Sequence, residues 1–524
     1  MSVDWTIYLS FLGAGLILLL PRESKSLIRW VALLTGVAGL LVALQGYFAY
    51  DVWLKEMLRG SERLRSGFQD LVNVPWIPAL GINYHLAVDG INYPLVVLNG
   101  FVCVTGILFS WNIESRVKEF FAFFLTLIAG VYGVFMAMDL FLLFVFYELA
   151  IIPKYFIIAI WGSTRKEYGA MKLVLYSFVG SAAVFIGILA MFYSGGGRTF
   201  DILELARHPI ARDVQIWVFP LVFAGFAVLA GMWPFHTWAP TGHVAAPTAA
   251  SMLLAGVVMK LGAYGCLRGA MFIFPQGLEY WRWWIAWLAV VGIVYGAAVA
   301  LVQDDFKFII GYSSVSHMGF VLLGLATLNV IGMSGAVLQM FSHGVVASLL
   351  FAVVGRMVYD RTHTRQLSEL GGLAKVIPFA CVTFVVAGAA SMGMPGFSGF
   401  WAEIQVLIGS FRMSPWLTAG AAVGILLTVA YILNAIHKVF YAEEEHASGG
   451  ASVPPSHSDA DHGGAAPSSH EGAGGARWNV PPISLPERVA AVILMALLVI
   501  IGLYPSIMLD MIKANVELFL RGRP

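Results

Sequence analysis

Charged residues are scarce in this sequence of 524 residues. Asp, Glu, Lys and Arg together make up 12% of the chain, against about 25% in soluble globular proteins. Apolar residues make up 59%, compared with about 45–50% in such proteins. This composition excludes a soluble enzyme and a disordered chain. The formal net charge of +1 offers no basic surface for nucleic acid, so it also excludes a nucleic-acid-binding protein.

Cysteine is almost absent as well. The three cysteines, Cys103, Cys266 and Cys381, lie inside apolar runs, and none forms a CxxC pair. This arrangement excludes a disulfide framework and a thiolate metal site. We predict that the three side chains are small apolar groups of the core.

Long apolar runs dominate what is present. A run of about 18 or more apolar residues can cross a bilayer as a helix. The sequence therefore predicts an all-α polytopic membrane protein with about fourteen transmembrane helices. The predicted spans are residues 4–20, 27–49, 91–110, 120–138, 139–161, 169–193, 214–239, 246–267, 283–302, 308–328, 330–357, 376–411, 415–441 and 485–506. The first span lacks a basic start and a small-residue cleavage site, which favours a permanent helix over a signal peptide.

Two of these spans are interrupted. Span 7 contains Pro234 in "GMWPFHTW", and span 12 contains Pro395 in "SMGMPGFSGFW". Proline removes a backbone donor and clashes with the preceding turn, so both helices should break within the membrane. Matching interruptions in two halves of a transporter point to an ion or substrate path. The alternative is that both are ordinary proline kinks of core helices.

The spans divide the chain into five regions. Residues 1–119 hold N-terminal helices and a polar connecting segment, 51–90, predicted to be partly helical. Residues 120–267 and 283–441 form two repeats of five spans each. Residues 442–484, rich in Gly, Ser, Ala and His, predict a disordered loop. Residues 485–524 form a C-terminal helix and tail.

The sequence gives only weak signals for the orientation of the chain in the membrane and for metal binding. Basic residues in the short loops favour a topology with both chain ends outside and the loop 442–484 in the cytoplasm. That loop contains His446, His457, His462 and His470 close to acidic residues. Nothing in the pattern sets their geometry, so we predict no metal site there.

Five ionisable residues lie inside the predicted spans. They are Glu148, Lys260, His317, His343 and Glu403. A charge at the centre of a membrane helix costs about 2.5–3.5 kcal/mol on insertion scales, so such a residue usually has a function. Each of these groups can take up or release a proton, and together they predict a proton relay. The alternative is that each one makes a structural hydrogen bond between helices.

Several segments give the chain a family resemblance. It resembles the antiporter-like proton-channel subunits of respiratory complex I, most closely those of the subunit M or chain 4 type, over roughly residues 80–441. The segments that carry the resemblance are "YHLAVDGINYPLVVL", "WPFHTWAPTGHVAAPT", "LVQDDFKFIIGYSSVSHMGFVLLG" and "GMPGFSGFWAE". Glu403 favours the M type, because sister subunits have lysine there. The resemblance implies two inverted five-helix repeats with broken helices at spans 7 and 12.

The resemblance also implies roles for the five ionisable residues. Glu148 corresponds to the glutamate that gates the first half-channel, and Lys260 to the lysine that connects the two halves. His317 and His343 correspond to histidines of the central hydrophilic axis. Glu403 corresponds to the glutamate that leads to the outer side.

The function implied is that of a proton-translocating membrane subunit of an NADH–quinone oxidoreductase. Quinone reduction elsewhere in the complex would drive proton transfer along the buried axis. The chain itself would have no redox centre and no NADH site, and NADH, FMN, iron–sulfur clusters and quinone would bind to partner subunits. The expected partners are other membrane subunits, including sister antiporter-like ones, and the lipid bilayer. The expected location is the bacterial inner membrane.

The sequence departs from the family in the first repeat. Family members usually read "GFAVKVP" before the break, with a lysine that pairs with the fifth-span glutamate. This chain has "GFAVLAG", with Leu229 in the place of that lysine, and Thr241 and Ala245 stand where acids are usual. Lys154, six residues after Glu148, is the candidate substitute. That spacing places the two residues on different faces of a straight helix, so we expect Lys154 to extend to the membrane interface instead.

Two other functions fit the same residues. The chain could serve in a multisubunit cation/proton antiporter or a membrane-bound hydrogenase. It could also be a diverged structural copy with an impaired first half-channel. The absence of a lysine at Leu229 favours the structural copy, whereas Glu148, Lys260, His317, His343 and Glu403 argue against complete loss of conduction.

Overall fold

The structure is a computed structural model and describes residues 2–59, 67–207, 210–442, 478 and 480–521. The first helices are α1 (Trp5–Leu19), α2 (Lys25–Arg59), α3 (Tyr93–Phe109), α4 (Val117–Met136), α5 (Leu140–Trp161), α6 (Lys166–Ser194), α7 (Ile202–Arg207), α8 (Arg212–Ala230), α9 (Trp238–Ala245), α10 (Thr248–Leu253) and α11 (Met259–Gly265). They are followed by α12 (Pro275–Val302), α13 (Phe306–Ala326), α14 (Val330–Phe351), α15 (Asp360–Thr362), α16 (Leu373–Val376), α17 (Pro378–Ser391), α18 (Ser398–Met413), α19 (Pro415–Ile436), α20 (Leu485–Leu503) and α21 (Ser506–Arg521). Further segments are π-helical: Leu254–Val258, Cys266–Met271, Ala352–Tyr359 and His437–Tyr441.

The helices occupy the predicted spans. Within the described ranges, eleven helices are long and apolar enough to cross a membrane. Three shorter apolar helices, α1, α3 and α17, lie at the remaining predicted positions. The all-α membrane class is confirmed, whereas the number of fourteen crossings stays a prediction. The three cysteines are buried and unpaired, as expected.

The segment 51–90 is partly helical, as predicted, but it also contains a β-hairpin that the prediction lacks. Residues 51–59 extend α2, and residues 69–88 form the hairpin. Strands β1 (Gln69–Ile77) and β2 (Ile82–Val88) pair antiparallel. A short 3₁₀ turn joins them and ends at Gly81, whose φ of 68° favours glycine. Residues 85–88 of β2 are all buried, so both faces of this end of the strand pack into the protein.

Both predicted helix breaks are present. Helix α8 ends at Gly231, which has a φ of 78°, and the chain resumes helical structure only at α9 after a short 3₁₀ turn. Helix α17 ends at Ser391, and Gly393 and Gly396 have positive φ before α18 begins. Glycine therefore turns the chain beside each proline, and the freed backbone groups lie among packed helices, where the membrane tolerates them.

The two ends of the bundle carry different ionic clusters. At the arginine end, defined by Arg356, Arg361 and Arg365, the first two arginines each lie 2.7 Å from the Glu487 carboxylate. Arg365 lies 2.6 Å from Asp305 in the same region. The hairpin end, defined by β1 and β2, lies opposite and includes α21. The assignment of these ends to the two sides of the membrane stays a prediction.

The C-terminal region has more helix than expected. Pro505 follows α20, and the predicted tail forms a second helix, α21, up to Arg521. Residues 443–477 and 479, most of the loop predicted to be disordered, lie outside the described residues. The division of the chain into two five-span repeats also stays a prediction.

Candidate functional site

Lys260 is fully buried in a distorted helix. It lies in α11 between the π-helical segments Leu254–Val258 and Cys266–Met271. Its ammonium group donates a hydrogen bond to the Ala255 carbonyl, which belongs to the first π-helical segment. It also lies 2.8 Å from Nδ1 of His343 on α14. Because a lysine ammonium can only donate, Nδ1 of His343 acts as the acceptor. Single-turn π-helices are frequent at functional sites.

His343 continues the contacts toward His317. The two imidazole rings, on α14 and α13, have centroids 5.2 Å apart. Nδ1 of His317 lies 3.2 Å from Oε1 of Glu403 on α18. Lys260, His343, His317 and Glu403 therefore form a continuous file across four helices, which we call the central relay. All four side chains are buried.

Polar residues that the sequence analysis missed complete the central relay. Nε2 of His317 lies 2.9 Å from the Ser391 hydroxyl. The Gln339 amide nitrogen lies 3.4 Å from His317 Nδ1 and 3.4 Å from the Glu403 carboxylate. Gln339 is four residues before His343, so it shares a helix face with that histidine, and this spacing could have identified it. Ser391 is the last residue of α17, immediately before the break.

A small cavity lies at the step between the two histidines. Its volume is about 10 Å³, and its lining includes His317, His343, Gln339, Ser342 and Glu403. A water molecule needs a cavity of at least about 10–15 Å³ and two to four polar partners. The cavity is at the lower limit of that range, and its walls supply the partners. One water molecule could therefore join the rings where they make no direct hydrogen bond.

Glu148 lies apart from the central relay. It sits on α5 and is partly buried, and its Oε1 has no hydrogen-bond partner among the described residues. No ion pair within 4 Å joins it to any cation of the described ranges. Four of the five predicted site residues are therefore brought together, and Glu148 is not.

The expected position of Lys154 at the membrane interface is wrong. Its side chain is only 1% exposed, and its ammonium nitrogen has no hydrogen-bond partner in the described part of the chain. Lys154 is buried because it lies on the buried face of α5. Ala150, Ile151, Ile157 and Ile158, which lie three or four residues away on α5, are all buried. Lys154 points inward with them. Its charge interacts with that of Glu148.

Helix α8 contributes no charge to this region. Leu229 is buried, and residues 214–231 contain no ionisable side chain. The backbones of α8 and α11 touch here, since a Cβ added to Gly262 would lie 2.3 Å from the Ala230 nitrogen. Thr241 accepts a 3.3 Å hydrogen bond from Lys172, and the Ala245 methyl group faces Gly169. The first repeat therefore keeps a buried glutamate without the usual cation on α8.

Further buried ionisable groups were not singled out from the sequence. His236 and His243, near the first break, have ring nitrogens without partners within the described ranges. His243 stacks on Phe351, with ring centroids 4.7 Å apart. At the hairpin end, Arg268 forms a buried ion pair with Asp89. The two histidines were visible only as part of the family segment, and Arg268 lies just beyond a predicted span.

A histidine outside the membrane helices anchors the hairpin. His85 on β2 lies 2.5 Å from Asp201 through Nδ1 and 3.2 Å from Asp70 through Nε2. Burial would lower the pKa of His85, but the hydrogen bonds to Asp201 and Asp70 outweigh it and raise the pKa overall. Burial would raise the pKa of Asp201, but the hydrogen bond from His85 lowers it overall. The pair is therefore favoured in its charged form.

These features define a class of protein. The chain is a bundle of apolar helices with two interrupted members and a buried file of lysine, histidine and glutamate side chains, each of which can take up or release a proton. Residues 137–428 match the model of a family described as NADH:quinone oxidoreductase/Mrp antiporter, transmembrane. The chain belongs to this family, as an antiporter-like member of the chain 4 or subunit M type. The resemblance inferred from the sequence is thus confirmed.

Individual relatives agree with this assignment. The chain is 39% identical over 428 residues to NADH-quinone oxidoreductase subunit M of Rhodobacter capsulatus, covering 79% of this chain and 80% of that one. It is 38% identical over 445 residues to an NAD(P)H-quinone oxidoreductase chain 4 of Synechococcus elongatus, covering 83% and 81%. A chain of respiratory complex I from Thermus thermophilus with bound NADH has the same fold, with a TM-score of 0.83, 25% identity and full coverage of both chains.

Proposed function

We propose that this chain translocates protons along the central relay as a membrane subunit of an NADH–quinone oxidoreductase complex. The observation that carries the proposal is the buried file from Lys260 through His343 and His317 to Glu403, with one water-sized gap between the two histidines. The family and the relatives of the subunit M type support an NADH–quinone oxidoreductase as the complex in which this file would operate.

The contacts suggest how a proton moves. The Lys260 ammonium points a proton at Nδ1 of His343, so this step needs no rearrangement of heavy atoms. The next step, from His343 to His317, crosses the small cavity and needs a water molecule or a ring movement. His317 then shares a proton with Glu403 over 3.2 Å. Each group returns to its starting state when the next proton arrives.

The redox chemistry belongs to partner subunits in this proposal. The described residues contain no group of three or more His, Cys, Asp or Glu side chains arranged to hold a metal ion. NADH, FMN, iron–sulfur clusters and quinone would bind elsewhere in the complex. Sister antiporter-like subunits and other membrane subunits would pack against this chain in the bacterial inner membrane.

Replacing Lys260 by alanine tests the proposal. We expect Lys260→Ala to lower the number of protons translocated per NADH oxidised in proteoliposomes, while the amount of assembled complex on native gels stays close to that of the wild type. Lys438→Ala, a change to an exposed lysine, is the control and should alter neither quantity. Equal losses in pumping and assembly for Lys260→Ala would make Lys260 a structural residue and contradict the proposal.

The family description also names an antiporter, so the complex itself must be identified. Mass spectrometry of the intact purified complex distinguishes the two cases. Co-purification with flavin and iron–sulfur proteins supports the oxidoreductase. Co-purification with small membrane subunits alone would support a cation/proton antiporter and contradict the redox coupling.

A further inference from the structure

Four unpaired polar groups lie close together on α5 and α6. They are Oε1 of Glu148, Nζ of Lys154 and the hydroxyl oxygens of Ser177 and Ser181. Each of these atoms is shielded from bulk solvent and has no hydrogen-bond partner in the described part of the chain. Buried polar groups in native proteins are almost always paired with protein atoms or with ordered water. A group of four unpaired ones therefore calls for a common partner.

The register of α5 and α6 sets the order of these groups. The two helices run antiparallel, and the rings of Phe144 and Phe185 lie 5.2 Å apart. Glu148 is one turn beyond Phe144, and Ser181 is one turn before Phe185, so the two residues face each other. The carboxylate of Glu148 interacts with the Ser181 hydroxyl, although the two do not complete a direct hydrogen bond.

The remaining two groups extend the row toward the arginine end. Ser177 is four residues before Ser181 on α6, which is about 6 Å along the helix axis. Lys154 is six residues after Glu148 on α5, about 9 Å in the same direction. Its ammonium interacts electrostatically with the Glu148 carboxylate without forming an ion pair. Ser177 and Lys154 therefore both lie on the arginine-end side of the level at which Glu148 faces Ser181.

Helix α8 cannot supply the missing partners. A Cβ added to Gly180 would lie 2.6 Å from the Gly225 carbonyl oxygen, and the reverse is also true. The backbones of α6 and α8 are therefore in direct contact at this level. On α5, Tyr147 packs its ring edge-on against Phe226 of α8. The α8 side of the region is apolar, and the cavity of about 450 Å³ between α6 and α8 is lined almost entirely by apolar residues.

We propose that ordered water fills the contact between α5 and α6 and links Lys154 to Glu148 through Ser177 and Ser181. We call these four residues the α5–α6 seam. The inference rests on the proposed function, because it gives the first repeat its own proton path. Lys154, on the same helix as Glu148, acts as the cation of this path.

The proton transfer in the α5–α6 seam conserves the number of protons and the total charge. The Lys154 ammonium gives a proton to the adjacent water, and a proton of the water chain passes to the Glu148 carboxylate. The charged pair becomes a neutral amine and a neutral carboxylic acid, and the water molecules are unchanged. The reverse transfer restores the pair. Ser177 and Ser181 position the water by donating to it and accepting from it.

The first test measures pumping by the intact complex in proteoliposomes. We expect Lys154→Met to lower the protons translocated per NADH oxidised to the value found for Glu148→Gln. The double variant should show no further loss, because both changes break one path. Lys154→Arg, which keeps the charge, should retain more pumping than Lys154→Met. The combined Ser177→Ala and Ser181→Ala variant should show a smaller loss of the same kind.

A matched serine provides the control. Ser10 on α1 is buried, and its hydroxyl already donates a 2.8 Å hydrogen bond to the Thr6 carbonyl. We therefore expect Ser10→Ala to leave the pumping ratio unchanged. An unchanged ratio in Lys154→Met would overturn the seam, and so would additive losses in the double variant with Glu148→Gln.

A second measurement uses the wild-type complex and therefore does not require any variant to fold. A high-resolution electron cryo-microscopy map of the wild-type complex should show water density within hydrogen-bond distance of the Lys154 nitrogen and of both serine hydroxyls. A dry seam, or a direct protein partner for Lys154 from a neighbouring subunit, would overturn the inference. Lys260→Ala separates the two proposals. If Lys260→Ala lowers pumping while Lys154→Met does not, only the proposal of the α5–α6 seam is contradicted. If neither variant lowers pumping, the proposed function is contradicted.

Discussion

The central relay and the α5–α6 seam hold their buried charges in different ways. In the central relay, Lys260, His343, His317 and Glu403 contact one another directly or across a cavity of one water molecule's size. In the α5–α6 seam, Glu148 and Lys154 share the same helix and make no direct hydrogen bond within the described ranges. A charge retained in a membrane needs a partner. The central relay therefore supplies most partners from the protein itself, whereas in our proposal water is the partner in the α5–α6 seam.

The same comparison shows that similar sequence patterns can have different three-dimensional arrangements. Both halves contain a broken helix and a glutamate, so their patterns look alike. Helix α8 packs backbone to backbone against α6 and α11 through Gly180, Gly225 and Gly262. Residues 214–231 of α8 contain no ionisable side chain, so the lysine and the glutamate of this region both lie on α5.

The largest effect should come from breaking the central relay at its middle. His343→Leu removes the acceptor for the Lys260 ammonium and the step to His317. Loss of a positioned acid or base typically costs about 10²–10⁴-fold in proton-transfer rate. We expect a loss of that size in the rate of proton uptake by energised proteoliposomes, and a much smaller one for Glu148→Gln. Equal losses in the two variants would show that the central relay and the α5–α6 seam do not differ in this way.

Placing a lysine on α8 tests the closed packing of the first half. Leu229→Lys would bury an unpaired charge between helices whose backbones touch. Leaving a charge buried without a partner costs about 3–5 kcal/mol, so we expect less assembled complex on native gels and no gain in pumping. Leu229→Met, of similar volume, is the control and should assemble normally. A rise in pumping with Leu229→Lys would mean that the first half is a weakened path that lacks only this cation.

The smallest effect concerns a charged pair outside the membrane. The raised pKa of His85 contributes stability that is fully present below its ordinary value of about 6.5 and is lost as the pH rises through the raised value. The lowered pKa of Asp201 contributes stability that is present above its ordinary value of about 3.9 and is lost as the pH falls through the lowered value. Attachment of the hairpin should therefore be strongest between about pH 4 and 6.5.

Hydrogen exchange in β1 and β2, corrected for the intrinsic pH dependence of exchange, measures this attachment. Protection should decline above neutral pH in the wild type, and His85→Gln should remove that decline. Protection of α13 and α14, which hold the central relay, should change little over the same range because their groups are shielded from bulk water. A parallel decline in both regions would contradict the separation between them.

Much of the site could be predicted from the sequence, and the errors have particular causes. Glu148, Lys260, His317, His343 and Glu403 were found because ionisable residues are rare in apolar runs. Lys154 was found but placed at the interface, because the period of an isolated helix does not tell which face its neighbours cover. The helical part of segment 51–90 was predicted correctly, but its β-hairpin was missed, because a short polar segment has no long hydrophobic period from which its structure can be inferred.

The sequence by itself determined the class of the protein, the positions of the apolar helices and the two breaks. These depend on the length of apolar runs and on the local chemistry of proline and glycine. Only the tertiary structure decided which charges meet. Lys260 and His343 are 83 residues apart and come within 2.8 Å because the π-helical segment Leu254–Val258, directly before α11, packs closely against α14. Lys154 is buried because the helices around α5 cover its face, and such packing is a property of the whole bundle.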